Sequence, residues 1–160
     1  MTTLYFEDIV VGKKYVSGGR TITDADNTFF CMMSGDWNPI HCNQPYASKS
    51  RFGNRIVAGL FGMSLITGAM AQWGIFDKSA LAMLNIRNWT FAAPIFITDT
   101  LWIEMEITSK RMASNGKVGL IERHFRLSNQ DDALVQEGDS DMMIQLRPTI
   151  QIHHEGDNTL

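Results

Sequence analysis

The chain has 160 residues, 44% hydrophobic and 19% charged, which is enough apolar material for one compact domain and too much for a disordered segment. Fourteen Lys and Arg against seventeen Asp and Glu leave a net charge of -3 with no basic run, which argues against a nucleic-acid surface built on clustered phosphate contacts. Two cysteines, Cys31 and Cys42, are too few for a disulfide scaffold and lack paired CxxC spacing, so no metal is expected and a reducing compartment is. Glu7-Asp8 and Lys13-Lys14 fall where a secretory signal needs an unbroken apolar stretch, and the expectation is a cytoplasmic protein.

After a mixed lead-in through Tyr15, Gly18-Gly19 marks a turn and Arg20-Thr21-Ile22 a short extended piece. Thr23 and Asp26 have the spacing of a capping box, and Asp24 and Asp26 lie where the helix dipole favours acids. Ala25, Phe29, Met32 and Met33 have helical spacing, so a first helix is predicted to about Met33, ended by Ser34-Gly35. Pro39 lacks an amide proton and pushes Asn38 out of the α region, which makes Asp36-Trp37-Asn38-Pro39-Ile40-His41 a predicted loop. Pro45 fits the first turn of a short helix through about Lys49, and Phe52-Gly53-Asn54 breaks the chain again.

Val57 to Phe76 carries no charge. Its length would permit a membrane span, but four glycines with Ser64, Thr67 and Gln72 keep it less hydrophobic than an inserted helix. The alternative is a central helix covered by the rest of the fold. Beyond Leu81, alternating β-branched and aromatic residues predict strands, notably around Leu101 to Ile107, Val118 to Leu127 and Ala133 to Leu146. Turns are expected at Asp99-Thr100, Ser114-Asn115-Gly116 and Asn129 to Asp132, the second with Lys110, Arg111 and Lys117 around a solvated hairpin tip. The reading is an α+β fold, about four strands of antiparallel sheet wrapped around one long apolar helix. Residues 1–150 form a single domain, and 151–160, with His153-His154, a polar tail. One sheet leaves an edge and part of the helix uncovered, so a homodimer is expected.

Asp36 and His41 flank an Asn-Pro turn that can bring a carboxylate and an imidazole to one small volume, where together they can hold a water and move its protons. A turn cap and a surface histidine would have the same spacing. Three further runs, Arg20 to Asp26, Ser34 to His41 and Ser50 to Val57, together with Phe6-Glu7-Asp8 and Asp99-Thr100-Leu101, resemble the MaoC-like dehydratases, a hot-dog-fold family that includes R-specific enoyl-CoA hydratases. The resemblance runs in order over roughly residues 5 to 147 and is specific at Asp36 to His41, looser in the strands.

The resemblance implies that water held by Asp36 and His41 adds to C3 of a trans-2-enoyl thioester while a proton is delivered to C2, giving an R-3-hydroxyacyl thioester. Asp36 would accept the proton and His41 bind and polarise the water. Coenzyme A is then part of the substrate and no separate cofactor is implied. Negative charge built on the thioester oxygen needs a donor, for which Gly59, at the helix N-terminus, is the candidate, with helix packing as its other reading. Asn38 either orients the water or serves only the turn, and Trp37 is placed at the pocket mouth. Met63, Thr67 and Met70 lie on one helix face and line either an acyl pocket or the core. His124 is read as a paired sheet residue, and Lys49, Arg51 and Arg55 are left as a solvated basic cluster.

Two departures from the family pattern stand out. Ala58-Gly59 replaces the common His-Gly pair, which puts substrate preference in question more than reaction class, and Ile97-Thr98 replaces Pro-Gly before Asp99. The other readings are a thioesterase on the same fold, with Asp36 activating water against the thioester carbonyl, and a non-catalytic acyl-thioester-binding partner subunit.

Overall fold

The computed structural model describes residues 2–148, so His153-His154 and the 151–160 tail lie outside the described residues. In chain order the elements are β1 (Lys14–Val16), β2 (Arg20–Thr21), α1 (Asp24–Ser34), α2 (Pro39–Cys42), α3 (Gln44–Ala47), α4 (Gly59–Trp73), β3 (Ala80–Met83), β4 (Arg87–Phe91), β5 (Thr100–Met112), β6 (Val118–Ser128) and β7 (Leu134–Gln145). The strands form one seven-stranded sheet in the order β1-β5-β6-β7-β3, with β2 on β5 and β4 on β7. Every pairing is antiparallel.

The two-residue rhythm of the long strands turns Leu101, Ile103, Met105 and Ile107 of β5 inward, beside Ile121, Phe125 and Leu127 of β6 and Val135, Met142 and Ile144 of β7. Onto that face α4 packs Phe61, Leu65, Ile66, Ala69 and Trp73, and Ile22, Val57, Ile75 and Ile95 close the same cluster. Burying each of the larger side chains contributes about 1.5–3 kcal/mol relative to leaving it in water.

Among the described residues five strands, β3 to β7, follow the central helix where about four are expected, and Arg20-Thr21 is extended as read; β1 is added, being too short for periodicity to show. The bounds of the helix are corrected. The central helix begins at Gly59, since Val57 N–H is committed to Ile95 O at 2.8 Å in extended chain, and it stops at Trp73 on the left-handed Gly74 (φ 61°). As expected under a single sheet, part of it is uncovered: Leu60, Ser64, Thr67, Gly68 and Ala71 form an exposed stripe. No helix among the described residues is long and apolar enough to cross a membrane.

Candidate active site

The capping box of α1 is formed, with Thr23 Oγ1 accepting from Asp26 N–H and Asp26 Oδ2 from Thr23 N–H. The buried side of α1 is Asn27 and Cys31, whereas Phe29, Met32 and Met33, read from spacing as the apolar face, are 66%, 61% and 78% exposed. Gly35 adopts the left-handed conformation (φ 75°), and its N–H closes the helix on Cys31 O at 2.8 Å.

The chain then turns tightly. Asn38 N–H donates to Asp36 Oδ1 at 3.3 Å, and Asn38 Oδ1 accepts from Ile40 N–H at 3.1 Å. Asn38 is thereby the N-cap of α2 and Pro39 its first residue. The expected loop thus closes as a single helical turn, because proline costs little in the first turn, where amides have no intrahelical partner. Asn38 serves that turn through its side-chain oxygen.

His41 is buried in α2, and two bonds hold it. Asn27 Nδ2 donates to the His41 carbonyl at 2.9 Å, and His41 Nδ1 lies 2.7 Å from the carbonyl of Ile56. A carbonyl only accepts, so that bond places the proton on Nδ1, and the neutral ring presents a lone pair at Nε2. Nε2 lies 3.6 Å from Asp36 Oδ2, whose carboxylate is half exposed. One carboxylate oxygen is thus held by the turn while the other faces the imidazole. Two acceptors at this separation can share a water that donates one hydrogen to each, leaving its oxygen lone pair free to attack.

Beside His41 opens a cavity of about 260 Å³ whose lining includes Ile56, Val57, Gly59, Phe91, Pro94 and Gln136. Ala58, the N-cap of α4, makes no side-chain capping bond. Among the described residues the amides of Gly59 and Leu60 have no hydrogen-bond partner, so a helix N-terminus with free donors opens on the histidine. A Cβ at residue 59 would stand 3.0 Å from the Phe91 ring, so glycine keeps this corner open. Gln136 on β7, 1% exposed, donates through Nε2 to Gly59 O at 2.9 Å and accepts through Oε1 from Trp89 Nε1 at 3.1 Å. An indole only donates and a carbonyl only accepts, which fixes the amide's orientation.

Of the residues singled out in the sequence, His41 and Gly59 line one cavity and Asp36 reaches it through His41. Met63 and Thr67 do not line it: the exposed Thr67 bonds through its hydroxyl to Ser64 O and lies in a separate hollow with Phe29, Met33 and Phe61. Trp37 is 51% exposed beside Asp36. Arg51 stacks over Phe52 at the cavity rim, while Arg55 is paired with Asp24 and Lys49 borders a different hollow. His124 bonds to Asp139 at 2.9 Å on the outer sheet face. Asn27 and Gln136 escaped the sequence reading. Asn27 has a usable signal, as a polar residue four positions before Cys31 on the same helix face, whereas Gln136 sits in a strand and has none.

An antiparallel sheet wrapped on a long apolar helix is the hot-dog fold, and here it carries an aspartate–histidine pair opposite a helix N-terminus. The chain belongs to the MaoC-like domain family, whose pattern matches residues 8–124. The (R)-specific enoyl-CoA hydratase of Rhodospirillum rubrum is 32% identical over 104 residues, 65% of this chain and 69% of that protein. Protein MaoC of Klebsiella aerogenes is 34% identical over 107 residues, 67% of this chain but only 31% of that longer protein. The structure of the monoamine oxidase regulatory protein from Archaeoglobus fulgius superposes with a TM-score of 0.86 at 28% identity, covering 92% of this chain and 98% of that one.

Proposed function

We propose that the protein is a hydro-lyase that adds water reversibly to a trans-2-enoyl-CoA to give an R-3-hydroxyacyl-CoA. The observation that carries the reading is the pair of acceptors, His41 Nε2 and Asp36 Oδ2, 3.6 Å apart beside the free amides at the start of α4. Water donates to both acceptors and its oxygen bonds to C3. Asp36 takes one proton, the C2–C3 electrons move toward the thioester, and the Gly59 amide stabilises charge on the thioester oxygen. Return of the proton to C2 completes the addition, so H and OH are both accounted for. The named activity of the Rhodospirillum rubrum relative supports the same assignment.

The reading uses no metal or redox cofactor, coenzyme A being part of the substrate. It places the protein in the cytoplasm, where its unpaired Cys31 and Cys42 suit a reducing environment. It also makes the active form a homodimer. Edge strand β3 leaves Leu81 and Met83 exposed, as β4 does Phe91, and a second copy is the occupant that an antiparallel edge can extend.

The test follows the ultraviolet absorbance of short-chain enoyl-CoA substrates, with a thiol reagent reporting free CoA. Decay without thiol release, reduced about 10²- to 10⁴-fold in Asp36→Asn and His41→Ala, is expected. Thiol release would overturn hydration in favour of a thioesterase. Binding without decay would overturn catalysis altogether.

A further inference from the structure

Arg123 on β6 faces inward between the core residues Ile121 and Phe125 and is 0% exposed. Arginine is almost never fully buried unless paired, yet no carboxylate among the described residues lies within ion-pair distance of it. Asp141 acts on it from further away and is itself paired with Arg87 at 2.5 Å. Nε and Nη2 donate to the carbonyl (3.2 Å) and hydroxyl (3.0 Å) of Ser140. Nη1 meets only thioether sulfurs, of Met70 at 2.7 Å and Met142 at 3.6 Å. Sulfur is a weak acceptor, so one side of a buried cation is left poorly satisfied. Burial pushes the guanidinium down to about 10, which still leaves it protonated at neutral pH.

Arg123, Met70 and Met142 also line a cavity of about 280 Å³, separate from the one beside His41, with the exposed Asp77 and the β3-edge residues Leu81 and Met83 in the same lining. Asp77 makes no ion pair with Arg123, whose charge is met among the described residues only by the Phe125 ring at 5.3 Å and by Asp141 from further away. This mostly apolar chamber therefore favours an aliphatic chain ending in an anion, and a carboxylate matches the fork of N–H donors. We infer that Arg123 and this cavity form a binding site for the carboxylate of an aliphatic acid, which displaces the Met70 and Met142 sulfurs from Nη1.

The position suggests two sources for that carboxylate. Gly59, Met63, Ile66 and Met70 share one face of α4, so the chamber lies at the far end of the stripe that starts at the Gly59 amide, about 16 Å away at 1.5 Å per residue. Either a separate acid enters, or the site receives the distal carboxylate of a long acyl thioester. The inference goes beyond the hydratase reading and is tested by binding alone, so it stands or falls independently of turnover.

The experiment is calorimetric titration of the full chain with hexanoate and its neutral analogue hexanamide, repeated on Arg123→Met and Ala71→Phe. Ala71 is an exposed lining residue, so a phenylalanine there fills the chamber and leaves the Ser140 bonds intact. Hexanoate is expected to bind at least 10-fold more tightly than hexanamide, and both variants to lose at least 10-fold. Arg123→Met removes a buried charge but also both of its bonds to Ser140, so its fold is checked by urea unfolding beside the parent. Saturated CoA thioesters of twelve to sixteen carbons, long enough to span the distance from the Gly59 amide and ending in carboxylate or methyl, then separate the sources. An Arg123-dependent preference for the carboxylate end assigns the site to the substrate chain, whereas hexanoate binding unaffected by methyl-ended thioesters assigns it to a separate acid. Equal binding of hexanoate and hexanamide, or hexanoate affinity unchanged in Arg123→Met, would overturn the proposal. Should Arg123→Met not fold, unchanged affinity in Ala71→Phe does so.

Discussion

Gln136 donates its side-chain N–H to the backbone carbonyl of Gly59 at 2.9 Å, joining β7 to the first residue of a helix 77 positions earlier in the chain. The Trp89 indole holds the other end of that amide at 3.1 Å, so the residue that opens α4 toward His41 is fixed from the sheet. Gln136 bonds to the Gly59 carbonyl and not to Asp36 or His41, which makes it a candidate positioning residue for the Gly59 amide.

Gln136→Leu removes both bonds and leaves the Trp89 N–H without a partner, a loss of about 1–3 kcal/mol in urea unfolding. If the bond positions the amide, kcat for enoyl-CoA hydration falls about 10- to 100-fold with KM little changed, a split that simple destabilisation does not produce. Gln136→Glu, which can still accept from Trp89 but not donate to Gly59 when ionised, is expected to recover stability more than kcat.

Gly62 and Gly68 lie on the same helix and are expected to respond oppositely to alanine. A Cβ at Gly62 would overlap Gln136 Nε2, and that amide is pinned at both ends, so Gly62→Ala displaces it and lowers both stability and activity. Nothing lies within 4 Å of a Cβ at Gly68, so Gly68→Ala gains about 0.5–1 kcal/mol of helix propensity. Thermal melts of the two variants check the sign of each change.

Ala58 is a poor N-cap, and the free amides beyond it are where the proposed oxyanion would bind. Ala58→Ser supplies a hydroxyl that accepts from the free Leu60 amide, next to the Gly59 donor. The expected result is a gain of up to about 1 kcal/mol in stability together with a lower kcat, measured by urea unfolding and enoyl-CoA turnover.

Burial alone would raise the Asp26 carboxyl, but bonds from the Thr23 hydroxyl and amide and from Arg20 outweigh it and hold the group below its ordinary range. Asp141 is lowered in the same way: burial opposes, and Arg87 and Asn85 prevail. A carboxylate depressed in the folded state stabilises it above the unfolded value near 4, and that contribution is lost as pH falls through the lower folded value. Stability is therefore expected to decline below about pH 4. Asp26→Asn, costing about 1 kcal/mol at pH 7 through the capping box, should differ less from the parent at pH 2.

Long-range repetition made the frame legible. The strand rhythm of residues 101–107 and the uncharged run after Val57 foretold β5 and α4, and Thr23 with Asp26 foretold the start of α1. Short edge strands carry no period, and the outward turn of Phe29 and Met33 reverses what spacing alone suggests. Asp36 and His41 could be named because both fall on one compact turn. Gln136 and Arg123 could not, because each meets its partner across the sheet, where only the register of β6 against β7 and the packing of α4 bring them together.

The dyad segment takes no part in the sheet, yet it is tied down at three points: Asn27 to the His41 carbonyl, His41 Nδ1 to the Ile56 carbonyl, and Ile56 N–H to the Ile40 carbonyl at 3.3 Å. These ties link it to α1 on one side and to the chain entering α4 on the other. The entropy of fixing the turn is thus lost during folding, not when substrate arrives, so binding free energy need not be spent on assembling the pair. Amide exchange at Ile40 and His41 should follow that of α4's first turn, making the Asp36–His41 turn and the start of α4 one cooperative unit.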